Sequence, residues 1–475
     1  MRLSIKEIDL FERDVRLRLP FRFGVVTLTQ APQAFVRARI RLENGKEAEG
    51  AAAELLVPKW FDKNPALSND ENLDQLRASL ALARESYLAT QSNTAFGHSI
   101  DIYGPQIAIG ALQGMNSLVA CYGPALVDRA VLDALCRALG ISFFEAVQKN
   151  IAGIQAPGWQ ADLSAFDMDS FLEGLKPQKQ VAARHTVGLL DPITSTDTRQ
   201  PIGDGLPETL EQVIARYGHR WFKLKVAGDV KNDVERLSAI AAVLDPHFAK
   251  LAEPYHTTLD CNEHFDDARS TLAFWGSVKA EPRLKRLASS IVFIEQPMKR
   301  QITLSGGTGA DVSELAEEKP LIIDESDDSL EAFPRARRLG YTGVSSKTSK
   351  GIYRAILNAA RCRLWNREEG TARYFMAGED LTTQAGLAVQ QDLALASLLG
   401  ITHVERNGHH YVNGMAGLPQ AEQEAFLASH PDLYEKSHGA VRLKIQEGML
   451  CVSSLGCPGY ASGALPEWQA MRKTP

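Results

Sequence analysis

No segment approaches the run of ~20 apolar residues that a membrane-spanning helix needs. The opening stretch, MRLSIKEIDLFERD, intersperses charge too densely for the apolar core of a secretory signal. A cytoplasmic protein without a membrane partner is expected. An excess of basic charge is also missing: 52 Lys and Arg stand against 58 Asp and Glu, a net charge of −6 with no polybasic patch, so nucleic acid is not an expected partner. Cysteine is sparse. Cys121, Cys136, Cys261, Cys362, Cys451 and Cys457 show no C-x-x-C spacing, which argues against a disulfide-stapled scaffold and a zinc module and predicts free thiols. What is present is ordinary for a globular enzyme, 44% hydrophobic and 23% charged. At 475 residues the chain exceeds the size of one core, which predicts two domains or a large barrel with an added domain.

The chain divides by texture. Residues 1–154 read as an α+β domain: LSIKEIDLFERDV and QAFVRARIRLENG alternate like strands joined by a turn at Asn44-Gly45, and apolar residues recur at helical spacing over 69–88 and 123–150. SNTAFGHSIDIYGPQ between them reads as loop. Residues 155–180 form a polar connecting insertion. From 181 to 408 short β-branched runs alternate with helices, eight times: VAARHTVGLL, RWFKLKV, TTLDCN, SSIVFIEQP, PLIIDES, YTGVSSK, ARYFMAGED and ITHVERNG. Eight βα steps in ~230 residues is the arithmetic of a TIM-type α/β barrel. Residues 409–475, including the hairpin-like AVRLKIQEGMLCVSS, have no place in a barrel and are expected to pack on the first domain.

The ends of those strands carry charge. Lys223 and Lys225, Asp260 and Asn262, Glu295, Asp324 and Glu325, and Lys347 close successive runs; the steps from 225 through 260, 295 and 324 to 347 are 35, 35, 29 and 23 residues, each one βα unit. In such barrels every strand delivers its C-terminal end to the mouth that holds the active site. Carboxylates on strands 3, 4 and 5 repel one another in a partly dry site unless a dication neutralises them, and all-oxygen ligation suits Mg²⁺ or Mn²⁺. Asp260 and Glu295 are ligand candidates, with either Asp324 or the adjacent Glu325. Strands 2 and 6 stand four apart in a ring of eight, so Lys225 and Lys347 face each other across the metal as two bases for the α-carbon of a bound carboxylate, with the metal stabilising the enediolate. A lysine of ordinary pKa about 10.4 is a poor base at neutral pH; Lys223 beside Lys225 supplies a cation that lowers it.

With K-L-K at 223–225, D-C-N at 260–262, E-Q-P at 295–297, D-E-S at 324–326 and Lys347 in that order, the chain resembles the enolase superfamily, and ALVDRAVLDALCRALG resembles the end of that family's capping domain. The resemblance implies a modified (β/α)7β barrel with an α+β cap, Mg²⁺ on Asp260, Glu295 and Asp324, and removal of a proton α to a carboxylate. Lysines on strands 2 and 6, with no His in YFMAGED, are similar to the muconate-lactonizing group; HVERN lacks the D-x-D of dipeptide epimerases. Glu379 and Asp380 end strand 7 in the same mouth and are candidates for substrate contact with Asn262 and Glu325. The stretch PFRFGVVTLTQ lies where the family's cap loop closes over substrate, which makes Arg22 and Phe23 candidates by resemblance. His409 and His410 after strand 8 suit either substrate contact or packing.

The expected function is thus a Mg²⁺-dependent racemase, epimerase or cycloisomerase acting on a small carboxylate. A dehydratase of o-succinylbenzoate-synthase or sugar-acid type is the alternative, and a non-catalytic metal-binding barrel the alternative of another class. Homo-oligomerisation is left open.

Overall fold

Two sheets organise the chain, one antiparallel and one closed into a ring. The computed structural model describes residues 1–475 apart from Val25, Trp159, Arg199, Thr382, Thr383, Pro475 and the side chain of Thr308. β1 (Leu3–Phe23), β2 (Val26–Leu42) and β3 (Glu47–Leu55) form an antiparallel meander. Asn44-Gly45 turns β2 into β3 rather than joining the first two strands, and Gly45 takes the left-handed φ of 82° that the tight turn requires. Three helices cover the sheet: α1 (Asn69–Leu88), α2 (Ala95–Leu112) and α3 (Ser117–Leu139). The small run Gly50-Ala51-Ala52-Ala53 lets α3 press against β3; a Cβ at Gly50 would sit 2.1 Å from the Ala134 amide nitrogen.

The expected loop over 92–106 is instead mostly helix. Thr94 caps α2 by accepting from the Gly97 amide at 2.9 Å, and Phe96 and Ile102 bury on its inner side, which outweighs the glycines and Pro105 within it.

Eight parallel strands close the ring: β4 (Gln180–Val187), β5 (Trp221–Lys225), β6 (His256–Asp260), β7 (Ile291–Glu295), β8 (Leu321–Ile323), β9 (Gly343–Ser346), β10 (Phe375–Gly378) and β11 (His403–Glu405), with β11 pairing back onto β4. Helices fill the first seven connections, and β11 is followed by a helical turn at Gly408–Tyr411 and a helix at Gln420–Ser429. This is the expected (β/α)7β barrel with an α+β cap. The pattern LTTQAGLAVQQDLALASLL predicts a helix after β10 from Leu381; the helix runs Leu387–Leu398, and Thr382 and Thr383 of that stretch lie outside the described residues. Among the described residues no helix is long and apolar enough to cross a membrane, and the six cysteines are free thiols.

The 155–180 segment is docked, not merely polar: Leu163 and Leu172 are buried, and Gln160 and Asp162 both accept from Arg361 on the barrel helix Ile352–Glu369. Beyond 408, β12 (Tyr434–Ser437) and β13 (Ala440–Leu443) form a hairpin, so the expected pairing of β13 with the following run is not the one adopted. That run, β14 (Met449–Cys451), adds antiparallel to the start of β4, and β15 (Arg472–Thr474) adds to β1.

Period two along β4 turns Arg184 and Thr186 into the barrel and His185 out of it. Outside, His185 meets His219, His409 and His410, with ring centroids 5.5, 5.2 and 5.1 Å away. All four rings are buried. Burial, reinforced for His185, His409 and His410 by neighbouring positive charge, holds their pKa below the ordinary 6.5, at about 4 for His219 and about 3 for His410. Each ring is therefore neutral in the fold and charges on unfolding. At these four positions the unfolded chain binds more protons from about pH 6.5 downward, so the rings' own contribution to stability falls on acidification through that window. With a chelator present, the unfolding free energy of the wild type relative to a His410→Gln variant should decline from about pH 6.5 to 5 by about 1.4 kcal/mol per pH unit. Urea titrations giving the same difference at both ends would contradict this.

Candidate active site

The turns that end β6, β7 and β8 aim the carboxylates. Asn262, Glu263 and Gln296 hold left-handed φ of 42°, 68° and 36°. Such backbone is uncommon outside glycine and clusters at sites where the surroundings over-determine it. The over-determination is visible at Gln296. Its Oε1 accepts from the amides of Asp324 (2.8 Å) and Ser326 (3.1 Å), while its Nε2 donates to Ser326 Oγ (2.8 Å) and Met298 O (2.9 Å). One buried amide thus ties the end of β7 to the residue that follows β8. Asn262 turns its own amide onto Asp260 Oδ1 at 2.9 Å.

Lys223 occupies the centre. Its Nζ lies 2.9 Å from Asp260 Oδ2, 2.8 Å from Glu295 Oε2, 2.7 Å from Glu379 Oε2 and 3.0 Å from Glu405 Oε2, and it is about 1% exposed. Burial opposes its charge, but the four carboxylates prevail and raise its pKa well above the ordinary value. Around it, Lys225 pairs with Asp260, and Lys347 Nζ stands 2.5 Å from Asp324 Oδ2. Burial pushes the Asp260 carboxyl up, yet Lys223 and Lys225 outweigh it and hold it at about 2; Lys347 and Lys350 likewise hold Asp324 below the carboxylate range. Glu295 goes the other way: burial, then the charges of Asp260 and Glu379, raise it well above that range. The two lysines stand on β5 and just after β9, four strands apart, and both line one cavity.

The cap closes that cavity. Phe21, Phe23 and Leu28 at the tip of the β1–β2 hairpin and Trp60 from the loop after β3 form its apolar wall, and the Lys347 ammonium sits 4.2 Å from the centroid of the Trp60 ring. Lys63 of the same loop reaches Asn262 O (2.8 Å) and Glu263 Oε2 (2.5 Å), pinning the cap onto the end of β6.

Of the residues expected from the sequence, Lys223, Lys225, Asp260, Glu295, Asp324 and Lys347 converge, with Asn262 and Asp380 on the cavity wall. Phe23 lines the cavity. Arg22 does not: it is exposed, because alternation along β1 sends Phe21 and Phe23 inward and Arg22 outward. Glu379 points down to Lys223 and Arg184, beneath the mouth. Glu325 diverges from Asp324 toward Asn262 Nδ2 and Lys63 Nζ, both at 3.5 Å. His409 and His410 are packed outside the barrel wall. Sequence reasoning missed Glu405, which accepts from Thr186 Oγ1 (2.5 Å) and Asn407 Nδ2 (3.0 Å). Lys350, which the sequence places at the start of a barrel helix as a solvated or anion-facing residue, is instead buried, with its Nζ 3.0 Å from Asp327 Oδ2. Sequence reasoning also missed Arg184, Lys63 and Trp60. Period two in VAARHTV was the available signal for Arg184; the cap loop carries none.

A hard dication fits these residues. Asp260 and Glu295 already place oxygens within 3.0 Å of one cation-sized point, Lys223 Nζ. Asp324 is near enough for its charge to raise the Glu295 pKa, and Glu325 Oε2 is buried without a hydrogen-bond partner. Three adjacent strands thus offer oxygen donors only.

No family model and no curated protein matches the sequence. Solved structures do match. One is a 2-chloromuconate cycloisomerase from Rhodococcus opacus, 17% identical over 98% of each chain, TM-score 0.55. Another is an enolase from Bradyrhizobium complexed with magnesium and mandelic acid, 14% identical over 100% of this chain and 99% of that one, TM-score 0.59. A third is an enolase-superfamily member from Roseovarius nubinhibens complexed with magnesium, 18% identical over 100% and 99%, TM-score 0.55. At these identities the likeness is one of fold, and it spans barrel and cap together.

Lys223→Met leaves buried carboxylates without their shared cation and should cost about 3–5 kcal/mol at neutral pH. Urea unfolding that finds less than about 1 kcal/mol would show that Lys223 is not what balances them.

Proposed function

We propose that the chain is a Mg²⁺-dependent enzyme that removes the hydrogen α to a carboxylate, acting as a racemase, epimerase or cycloisomerase on a small carboxylate. The observation that carries this reading is the pair Lys225 and Lys347, on opposite strands and facing one cavity, each held on a carboxylate of the set that suits a dication. Bound by Asp260, Glu295 and Asp324, Mg²⁺ would supply the Lewis acidity that makes such a hydrogen removable.

The lysines do the proton work. While Lys347 is paired with Asp324 its pKa stands above the ordinary value, Asp324 outweighing burial, and it is an acid rather than a base. A dication on Asp324 would take up the carboxylate charge that now holds the Lys347 proton. Lys223 stays anchored by Glu379 and Glu405, which leaves a fixed positive charge beside Lys225. Each lysine then serves one face of the α-carbon, removing a proton from one side and delivering one on the other. Trp60 orients Lys347 from above.

The apolar cap wall favours a carboxylate with an apolar or aromatic flank over a polyhydroxylated sugar acid, since Phe21, Phe23, Leu28 and Trp60 offer almost nothing to hydroxyl groups. The similar fold solved with magnesium and mandelic acid supports the same choice.

Two experiments test the proposal. Glu295→Gln removes charge from the ligand set and should weaken Mg²⁺ binding sharply with the fold intact; unchanged affinity in calorimetry would remove Glu295 from the site. In D₂O, with a panel of apolar-flanked carboxylates, the wild-type enzyme should exchange the α-hydrogen. Lys225→Ala and Lys347→Ala should each lower turnover by at least about 10²-fold, with each variant confined to one face of the α-carbon. Wild-type turnover and exchange in both variants would refute the two-base assignment.

A further inference from the structure

The four histidines outside the first barrel strand take no part in the proposed chemistry, and their geometry has its own consequence. His185 belongs to β4, His219 precedes β5, and His409 follows β11, so three separate segments bring imidazoles together beside the seam where β11 closes onto β4. One ring nitrogen from each lies within 4.8 Å of the others, and His185 Nδ1 is 3.1 Å from His409 Nε2. Two imidazole ligands of a tetrahedral zinc, with Zn–N about 2.0–2.1 Å, stand about 3.3–3.4 Å apart. The observed separation is close to that edge.

The tautomer of His219 is set by its surroundings. Its Nδ1 lies 2.8 Å from the Ala183 carbonyl and must donate to it, which leaves Nε2 as a bare lone pair. That Nε2 is buried and has no hydrogen-bond partner, and neither has His409 Nδ1. A backbone carbonyl on one ring nitrogen and an open lone pair on the other is how metal-binding histidines are oriented. An unpartnered buried polar atom otherwise costs about 1–3 kcal/mol, and a metal held here would take up the His219 Nε2 lone pair. His410 completes the enclosure, edge-on to His185 at 5.1 Å, with neither nitrogen hydrogen-bonded.

We propose that His185, His219 and His409 form a buried site for a transition-metal dication, zinc in kind, with His410 beside the fourth position. The site is distinct from the carboxylates of the barrel mouth in both place and chemistry, because neutral imidazoles select borderline metals where carboxylates select Mg²⁺. Burial and mutual repulsion keep these rings in the neutral form that ligation needs. A metal here ties the first strand, the entry to the second and the segment after the eighth across the closure of the ring. Its role is structural, and the proposal stands whether or not the enzyme acts on carboxylates. No ligand spacing is visible in the sequence because the three residues come from 34 and 190 positions apart.

The test uses the full chain, stripped with chelator and returned to excess Mg²⁺ so that the carboxylates are occupied. Titrated with Co²⁺, the protein should take up one equivalent with the intense visible bands of tetrahedral cobalt, and Zn²⁺ should bleach them. His219→Gln and His409→Gln should each weaken uptake by more than the about 10- to 100-fold that loss of an outer partner costs, while Asp324→Asn should not change it. Absence of the bands in the wild type, or bands that persist in both histidine variants, would overturn the site. Should either variant fail to fold, X-ray absorption of the zinc-loaded wild type decides: an imidazole shell supports the site and an all-oxygen shell overturns it.

Discussion

Everything at the mouth of this barrel depends on one buried ammonium. Lys223 holds Asp260, Glu295, Glu379 and Glu405 within 3.0 Å of a single nitrogen, in a place that water barely reaches. Four carboxylates brought so close would not all ionise by themselves. The cation lets Asp260 and Glu405 stay ionised, and both are held below the ordinary carboxylate range, while Glu295 is pushed above it. The centre is therefore short of positive charge at Glu295 and well supplied at Asp260. That imbalance is what a bound dication would relieve.

The second constraint is the lid. A barrel mouth open to water would screen those charges, since the interaction of two charges weakens as the effective dielectric rises. The cap removes the water with Phe21, Phe23 and Leu28 from a hairpin tip, and is fastened by Lys63 on Asn262 and Glu263 and by Arg300, which donates to the Phe61 and Trp60 carbonyls at 2.8 Å. The fastening residues are charged and the covering residues are apolar. Covering and fastening the cavity thus fall to different residues of the cap.

Much of this was legible in the sequence because barrel strands are short, parallel and end on the same face. A charged residue at a strand end in VFIEQP or RWFKLKV has only one mouth to enter, so the ring order of Lys225, Asp260, Glu295, Asp324 and Lys347 follows from counting βα steps. Glu405 was passed over because its strand has three residues and runs into Arg406, which reads as a solvated rim; in fact Arg406 is buried on Asp380 and Asp392. Helix α2 was hidden by Gly97, Gly104 and Pro105, whose local cost is met by burial that local propensity does not register. Lys63, Trp60 and the histidine cluster depend on contacts between distant segments. Arg22 lies outside the site because it stands on the solvent face of β1, between Phe21 and Phe23.

The central claim is that Asp260, Glu295 and Asp324 give up their ammonium partners to a dication while Lys225 and Lys347 remain across the cavity from each other. Crystals grown with Mn²⁺ in place of Mg²⁺ test it by anomalous scattering. The account predicts one peak at about 2.1–2.2 Å from an oxygen of each of the three carboxylates, with both lysine nitrogens released and facing the cavity. A map with no peak there, and with Lys223, Lys225 and Lys347 still seated on those carboxylates, would contradict it.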